Sequence, residues 1–238
     1  MNRRSCLSAL GVSVFGSVAG LSAVTVSRAD KKRSWVLSLE SFRVSHGEQM
    51  TRLHSYLGGA FLSYLAQVHR GPKMFLEAIV APHTPQAMVV TAFPSFDEMI
   101  EIRNKVAAHP GIQRARADLE CGESQILVTG ADSAQFHAGP HRRRGGIFEL
   151  RSYLAPAWRD RPPAASSTAF RRAGIDPILT ASAAGEHLPR FTYLVPFENL
   201  AVRQEAWAKL DADSEWSGLE AKVTGASIYK PAPYSPLS

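Results

Sequence analysis

Glu149, Arg151 and Tyr153 occupy alternate positions in the stretch GGIFELRSYLAPAW, residues 145–158. Alternation puts them on one face of an extended strand, with Phe148, Leu150, Ser152 and Leu154 on the other. A carboxylate and a guanidinium side by side on such a face have three uses. They hold each other as a structural ion pair, they face solvent, or the arginine binds a ligand carboxylate bidentately. Ser38, Glu40 and Phe42 take the same alternate places in the earlier run VLSLESF, residues 36–42.

The other reactive side chains are scattered. His137 and His141 stand four apart, a spacing that serves metal binding on a helix, but Gly139 and Pro140 between them argue for a solvated linker. His54, His69, His83, His109 and His187 have no Cys, His or acid partner at ligand spacing, so no metal site is expected. His187, beside a strand that starts at Arg190, is the best lone acid–base candidate, and a surface histidine is the plainer reading. Cys121 reads as a small buried apolar residue rather than a nucleophile. The chain has no GxGxxG, P-loop or GxSxG motif, so no catalytic residue is assigned and no cofactor is expected.

The elements that must position these residues follow from periodicity. Residues 34–42 alternate as a strand, and 47–69 carry helical spacing through Met50, Leu53, Leu57, Phe61 and Leu65, with Gly58-Gly59 as a break or kink. Residues 74–80 and 88–93 read as strands joined by turn chemistry at 81–85. Ser95 and Glu98 form a capping-box pattern before a helix that His109-Pro110-Gly111 interrupts. Residues 124–129 close the set, which gives the order β-α-β-β-α-β, the ferredoxin-like unit. The order then repeats: a strand at 147–154, a short helix at 164–173, strands at 178–182 and 190–195, a helix at 199–211, a turn at 214–219 and a strand at 226–229. VLSLESF overlays IFELRSY, residues 94–99 overlay 195–200, and SQIL at 124–127 overlays ASIY at 226–229. The expected organisation is a first copy at 34–130, a Gly-, Ser- and Arg-rich linker at 131–145, and a second copy at 146–236.

Composition fits a globular chain. Of 238 residues 45% are hydrophobic and 20% charged, enough for a packed core. The formal charge of +6 is inflated by residues 1–29, which hold Arg3, Arg4 and Arg28 and no acid; the remainder has 24 basic (27 less 3) against 21 acidic residues. That balance and the lack of a basic–aromatic stripe give no reason to expect nucleic acid. The start itself has the order of a secretory signal: paired arginines, a weakly apolar run, then Ser27-Arg28-Ala29 as a cleavage site. Within it NRRSCLSALG resembles a twin-arginine signal, so a periplasmic or secreted protein is expected. A membrane contact would come only through this segment left uncut.

The second copy resembles the NIPSNAP family. The resemblance rests on FELRSY at 148–153, on TYLVPFENLAVRQEAWAKLDADSEW at 192–216 and on ASIYKPAP at 226–233, with Glu149, Arg151, Tyr153, Phe197, Arg203, Glu205, Asp213 and Trp216 on the family pattern. It departs at Ala155-Pro156-Ala157-Trp158, where the family has Pro-Gly, and at the short segment with Pro162-Pro163. The resemblance implies an α+β fold, with two tandem ferredoxin-like units packed sheet to sheet as a dimeric α+β barrel, helices outside. It implies no defined biochemical role; structural relatives include small oxygenases, isomerases and ligand-binding proteins.

In such a barrel the apolar face of residues 147–154 is expected to meet the helices, and Glu149, Arg151 and Tyr153 to look inward with Glu40 and Phe42 as a ligand-binding set. Glu40 is then expected to face Arg151 across the pseudo-twofold axis. Arg203 and Glu205 read as exposed helix contacts, Trp207 and Trp216 as core anchors. Two functions stay open. One is an exported barrel that binds a small apolar or aromatic ligand, with or without cofactor-independent oxygenase- or isomerase-type chemistry. The other is a non-catalytic interaction module. The two copies pair within the chain, and homodimerisation is a further option.

Overall fold

The computed structural model describes residues 35–130, 146–158, 164–183 and 190–236. Residues 1–29, expected to be an export signal, the expected linker 131–145 and His137, His141 and His187 lie outside the described residues. The first unit runs β1 (Trp35–Val44), α1 (Gly47–Ser55), α2 (Leu62–Val68), β2 (Lys73–Val80), β3 (Gln86–Phe93), α3 (Phe96–Ala108), α4 (Pro110–Arg116) and β4 (Cys121–Gly130). The second runs β5 (Ile147–Leu154), α5 (Ala164–Arg172), β6 (Leu179–Ala183), β7 (Arg190–Phe197), α6 (Leu200–Asp211), α7 (Ser214–Ser217) and β8 (Lys222–Pro231).

Helix starts follow capping chemistry. Ser95 accepts a hydrogen bond from the Glu98 amide at 3.2 Å, Asn199 from Val202 at 3.0 Å, and Asp213 from Trp216 at 3.0 Å. At α4 the His109 Nδ1 accepts from the Ile112 amide, with Pro110 in the first turn where its missing N–H costs nothing.

All eight strands close into one barrel in the order β1-β3-β2-β8-β5-β7-β6-β4, each pair antiparallel. Each unit contributes a four-stranded sheet, and β2–β8 and β4–β6 seal the two seams. Helices cover the outside, so both faces of most strands are buried. Leu37, Leu39, Met88, Val90, Phe148, Leu179 and Leu194 pack together in the interior. Phe42, Leu53, Leu57, Phe75 and Val89 form the layer between the first sheet and its helices. An aromatic layer of Tyr153, Trp158, Phe170, Phe191, Tyr193, Trp207 and Trp216 does the same in the second unit.

The ladders correct one overlay of the two copies. Val36 pairs with Phe93 and Ile147 with Phe197, so Phe93 corresponds to Phe197 and the cap Ser95 to Asn199. The overlay of 94–99 on 195–200 is therefore slipped by three residues. In the corrected register Met99 corresponds to Arg203 and Arg103 to Trp207.

Gly58-Gly59 does not break the first helix. Residues Tyr56–Phe61 widen into a π-turn between α1 and α2, and Tyr234 from beyond β8 packs its ring against Gly58. Residues 232–235 form a strap over the first unit. The Ala232 amide donates to Phe75 O at 2.9 Å and the Phe75 amide donates to Ser235 Oγ at 3.0 Å. Tyr234 Oη lies 2.9 Å from His54 Nδ1, His54 Nε2 lies 3.3 Å from Glu77, and Lys230 lies 3.1 Å from the same carboxylate.

A Cβ on Gly58 would lie 2.7 Å from the Tyr234 ring. Gly58→Ala is expected to cost about 1–3 kcal/mol in urea denaturation, the usual effect of overpacking. Adding Tyr234→Ala is expected to produce no further loss of the full size of that change alone; strictly additive losses would disprove the contact's role.

His69 is buried and stacks on Phe93 at 4.6 Å, with Glu98 3.5 Å away. Burial, then Lys73, lowers its pKa from the ordinary histidine value. The folded state thus favours the neutral ring. This contribution is fully present above the unfolded pKa of about 6.5 and is lost as pH falls below it toward the folded value. The unfolding free energy of wild type is expected to drop more steeply from pH 7.5 to 5.5 than that of His69→Gln; parallel profiles would contradict it.

Candidate functional site

The strand face that carries Glu149, Arg151 and Tyr153 points at the helices, not into the barrel. Phe148 and Leu150 are the residues that face inward. Both faces of β5 are buried, so a mixed-polarity face can lie under a helix when the helix supplies partners. Here α6 supplies them. Glu149 has no solvent exposure and accepts from Arg203 Nε at 2.9 Å and Nη2 at 2.8 Å, a bidentate pair. The Trp207 indole N–H donates to the same carboxylate in a short hydrogen bond. Arg151 lies 3.9 Å from Glu149, and its guanidinium stacks 3.9 Å from the Trp207 ring centroid. Arg203 is therefore a partner of Glu149 rather than an exposed helix residue, while Glu205 does pair on the surface with Lys209 at 2.7 Å. Tyr153 is buried against Tyr193 and Trp216, and burial raises its pKa. Trp207 and Trp216 anchor this aromatic layer.

The first unit makes the corresponding contact with different residues. Glu40 also faces its helix layer, 3.4 Å from Arg103 on α3 and 3.1 Å from Ser38 Oγ, which donates to it. Burial raises its pKa and Arg103 counters the rise. Phe42 belongs to the apolar layer beneath α1. Glu40 and Arg151 thus lie under their own helices, on opposite sides of the barrel wall, and do not pair across the pseudo-twofold axis. The five residues Glu40, Phe42, Glu149, Arg151 and Tyr153 form two helix-facing contacts and not one inward site.

Cys121 is half-buried; burial, then Glu123, pushes its thiol up to about 11. That is the opposite of what an activated thiolate needs. Among the described residues no group of three or more His, Cys, Asp or Glu is placed to hold a metal ion.

The inward positions at one barrel end are polar. Arg43 pairs across the ladder with Gln86, and Leu154 with Arg190, so the last inward residues of β1 and β5 meet the first of β3 and β7. Gln86 Nε2 donates to Tyr229 Oη at 3.4 Å, from β3 to β8 over the intervening Ala78 of β2 on the inner face of one wall. Ser152 and Thr192 share a hydrogen bond of 3.1 Å one pleat deeper. Arg43 lies over Gly122, its guanidinium atoms 3.6–3.9 Å from where a Cβ would stand. The Nε–H groups of Arg43 and Arg190 are both buried and find no protein acceptor. Among the described residues neither arginine meets a carboxylate. Below this layer the wall is apolar, through Leu39, Met88, Leu150 and Leu194. The chain shows this layer through parity: Arg43 falls in phase with Leu37 and Leu39, and Arg190 with Leu194.

The comparisons bear on fold and family. The NIPSNAP family model matches residues 148–236, the second unit. The fold is that of chlorite dismutase structures at low identity. An arginine-to-alanine variant of chlorite dismutase from Candidatus Nitrospira defluvii matches with a TM-score of 0.55 and 10% identity, over 84% of this chain and 92% of that one. A tryptophan-to-valine variant of that enzyme gives 0.57 at 9% identity, over 84% and 92%. A putative chlorite dismutase gives 0.55 at 12% identity, over 86% and 97%. No curated protein matches the chain.

Removing one partner of a buried ion pair costs far more than removing both. Glu149→Leu is expected to lose about 3–5 kcal/mol of unfolding free energy. Glu149→Leu with Arg203→Met, which copies the methionine of the first unit, is expected to recover at least half of that loss in guanidinium denaturation. A double variant as unstable as the single one would show that the pair does not act as a unit.

Proposed function

We propose that this protein is an exported α+β barrel that binds a small apolar or aromatic molecule at the polar end of its interior. The carrying observation is the division of the interior into an apolar wall and one polar layer, built by both units around Arg43, Gln86 and Arg190. Such sites join a mostly apolar surface to a few convergent polar groups. The seat differs from the helix-facing set first suggested by the alternation of Glu149 and Arg151.

Binding is favoured over turnover. No inward strand position among the described residues holds a His, Cys, Asp or Glu, the side chains that most often move protons or attack substrates. A non-catalytic interaction module is the second reading, and the packing of the barrel's middle supports it: Leu37, Leu76, Val90, Leu179 and Leu194 have no exposure. The two readings differ at the polar end alone.

Thermal unfolding of the full chain, with benzoate, benzamide, benzyl alcohol, indole and hexanoate as probes, separates them. A ligand at 100 times its Kd adds about 2.7 kcal/mol, and for a chain of this size each kcal/mol raises Tm by roughly 2–4 °C. A concentration-dependent rise for at least one probe, lost when Ser152→Phe fills the layer, is the expected result. No rise with any probe sinks the binding reading and leaves the interaction module.

A further inference from the structure

We infer that the polar end of the barrel is a carboxylate clamp, with Arg43 and Arg190 as its two cationic jaws and a short apolar or aromatic body as the rest of the ligand. The inference rests on the binding reading above and names the chemistry of that site. Its first support is the charge on the inward face. The inward register positions of the described strands carry Arg43, Arg190 and, at the exposed rim beside Leu154, Lys222, and no acid. The helix-facing side treats its charges differently: Glu149 has Arg203, Glu40 has Arg103, and Glu77 has His54 and Lys230. Helix-facing carboxylates each have a cation, and even Arg151, whose Nε and Nη1 lack an acceptor, has the Glu149 carboxylate at 3.9 Å; the inward arginines face no carboxylate among the described residues.

The second support is the buried N–H of each guanidinium. A buried donor without an acceptor costs about 1–3 kcal/mol, more when it is charged. Both arginines leave Nε in that state, one in each unit; Arg151 Nε and Nη1 share it under α6, but there the Glu149 carboxylate lies 3.9 Å away. Their strand positions are not equivalent: Arg43 corresponds to Leu154, and Arg190 to Gln86. Each unit thus supplies one arginine from a different strand, and the ladders bring both to the same barrel end. An anion there accepts from both.

The third support is the surroundings, which select the anion. Two guanidinium forks match the planar geometry of a carboxylate. Gln86 and the Tyr229 hydroxyl add neutral groups beside them. The wall beneath, Leu39, Met88, Leu150 and Leu194, suits an apolar body and gives no further charge for a dianion.

Calorimetric titration of the full chain with benzoate, benzamide and phenylphosphonate tests the clamp. Benzoate is expected to bind at least tenfold more tightly than benzamide. Arg43→Gln and Arg190→Gln are each expected to weaken benzoate at least tenfold and to leave benzamide within twofold. Arg151→Gln, under its helix, is expected to leave both unchanged. Without ligand, each of the two clamp variants is expected to unfold at or above the wild-type Tm, since it removes an unpaired buried cation. Benzoate and benzamide binding alike would overturn the clamp and spare the binding reading, whereas no binding by any probe removes both. Phenylphosphonate tenfold tighter than benzoate overturns the carboxylate assignment. A fall in ligand-free Tm for either variant marks that arginine as structural and overturns its place in the clamp.

Discussion

Closure of eight strands inside a coat of helices leaves little sheet face for water away from the exposed ends of β2, β4 and β8. The interior and the helix-covered exterior are both dry, so each polar side chain must find its partner locally or stand at a barrel end. Glu149 shows the first solution. Its carboxylate is fully enclosed and satisfied by Arg203 and Trp207, which one turn of α6 brings to the same face of the helix. Arg43 and Arg190 show the second, at the end of the lumen.

The same constraint accounts for what the sequence makes legible. The βαββαβ order, its repetition and the cap at Ser95 are written in local patterns, because they depend on periodicity and on hydrogen bonds within a few residues. The choice of face is not. On a strand with one wet face, polarity identifies the outside; on β5 both faces are dry, and alternation says only that Glu149 and Arg151 share one. The helix that covers them decides, and its contribution is visible only once Arg203 is placed four residues before Trp207 over the strand. The slipped overlay has a similar origin. Short apolar strands match one another in several registers, and the ladder Val36–Phe93 against Ile147–Phe197 selects one. Arg43 and Arg190 are legible through parity alone, and parity has meaning only when the inward face is known.

The two units solve one packing problem twice. Each needs a polar link between its first strand and its second long helix. In the first unit Glu40 meets Arg103; at the corresponding positions of the second, Arg151 stacks on Trp207. The next pair along, Ser38 and Met99, is replaced by Glu149 and Arg203. The ion pair has moved by one pleat, with the acid on the strand and the arginine on the helix in both units. Both arrangements satisfy burial, so the helix-facing layer tolerates exchange of chemistry provided that both partners change together. That tolerance marks these contacts as structural, whatever their resemblance to a ligand-binding set.

The inward layer does not show that compensation, and its geometry depends on the fusion of the two units. Gln86 from the first reaches Tyr229 from the second, and β8 carries on past the seam into the strap that holds His54 and Glu77. The strap follows directly on β8, so Tyr229 in the lumen and Tyr234 on Gly58 belong to one continuous segment. A barrel made by two identical chains would repeat every inward residue across its axis, giving two arginines or four. A tandem chain is free of that symmetry, and it has used the freedom to place one arginine on β1 and one on β7. The asymmetry suits a ligand that is itself asymmetric, with one charged end and one apolar end, better than it suits a symmetric seal between two sheets.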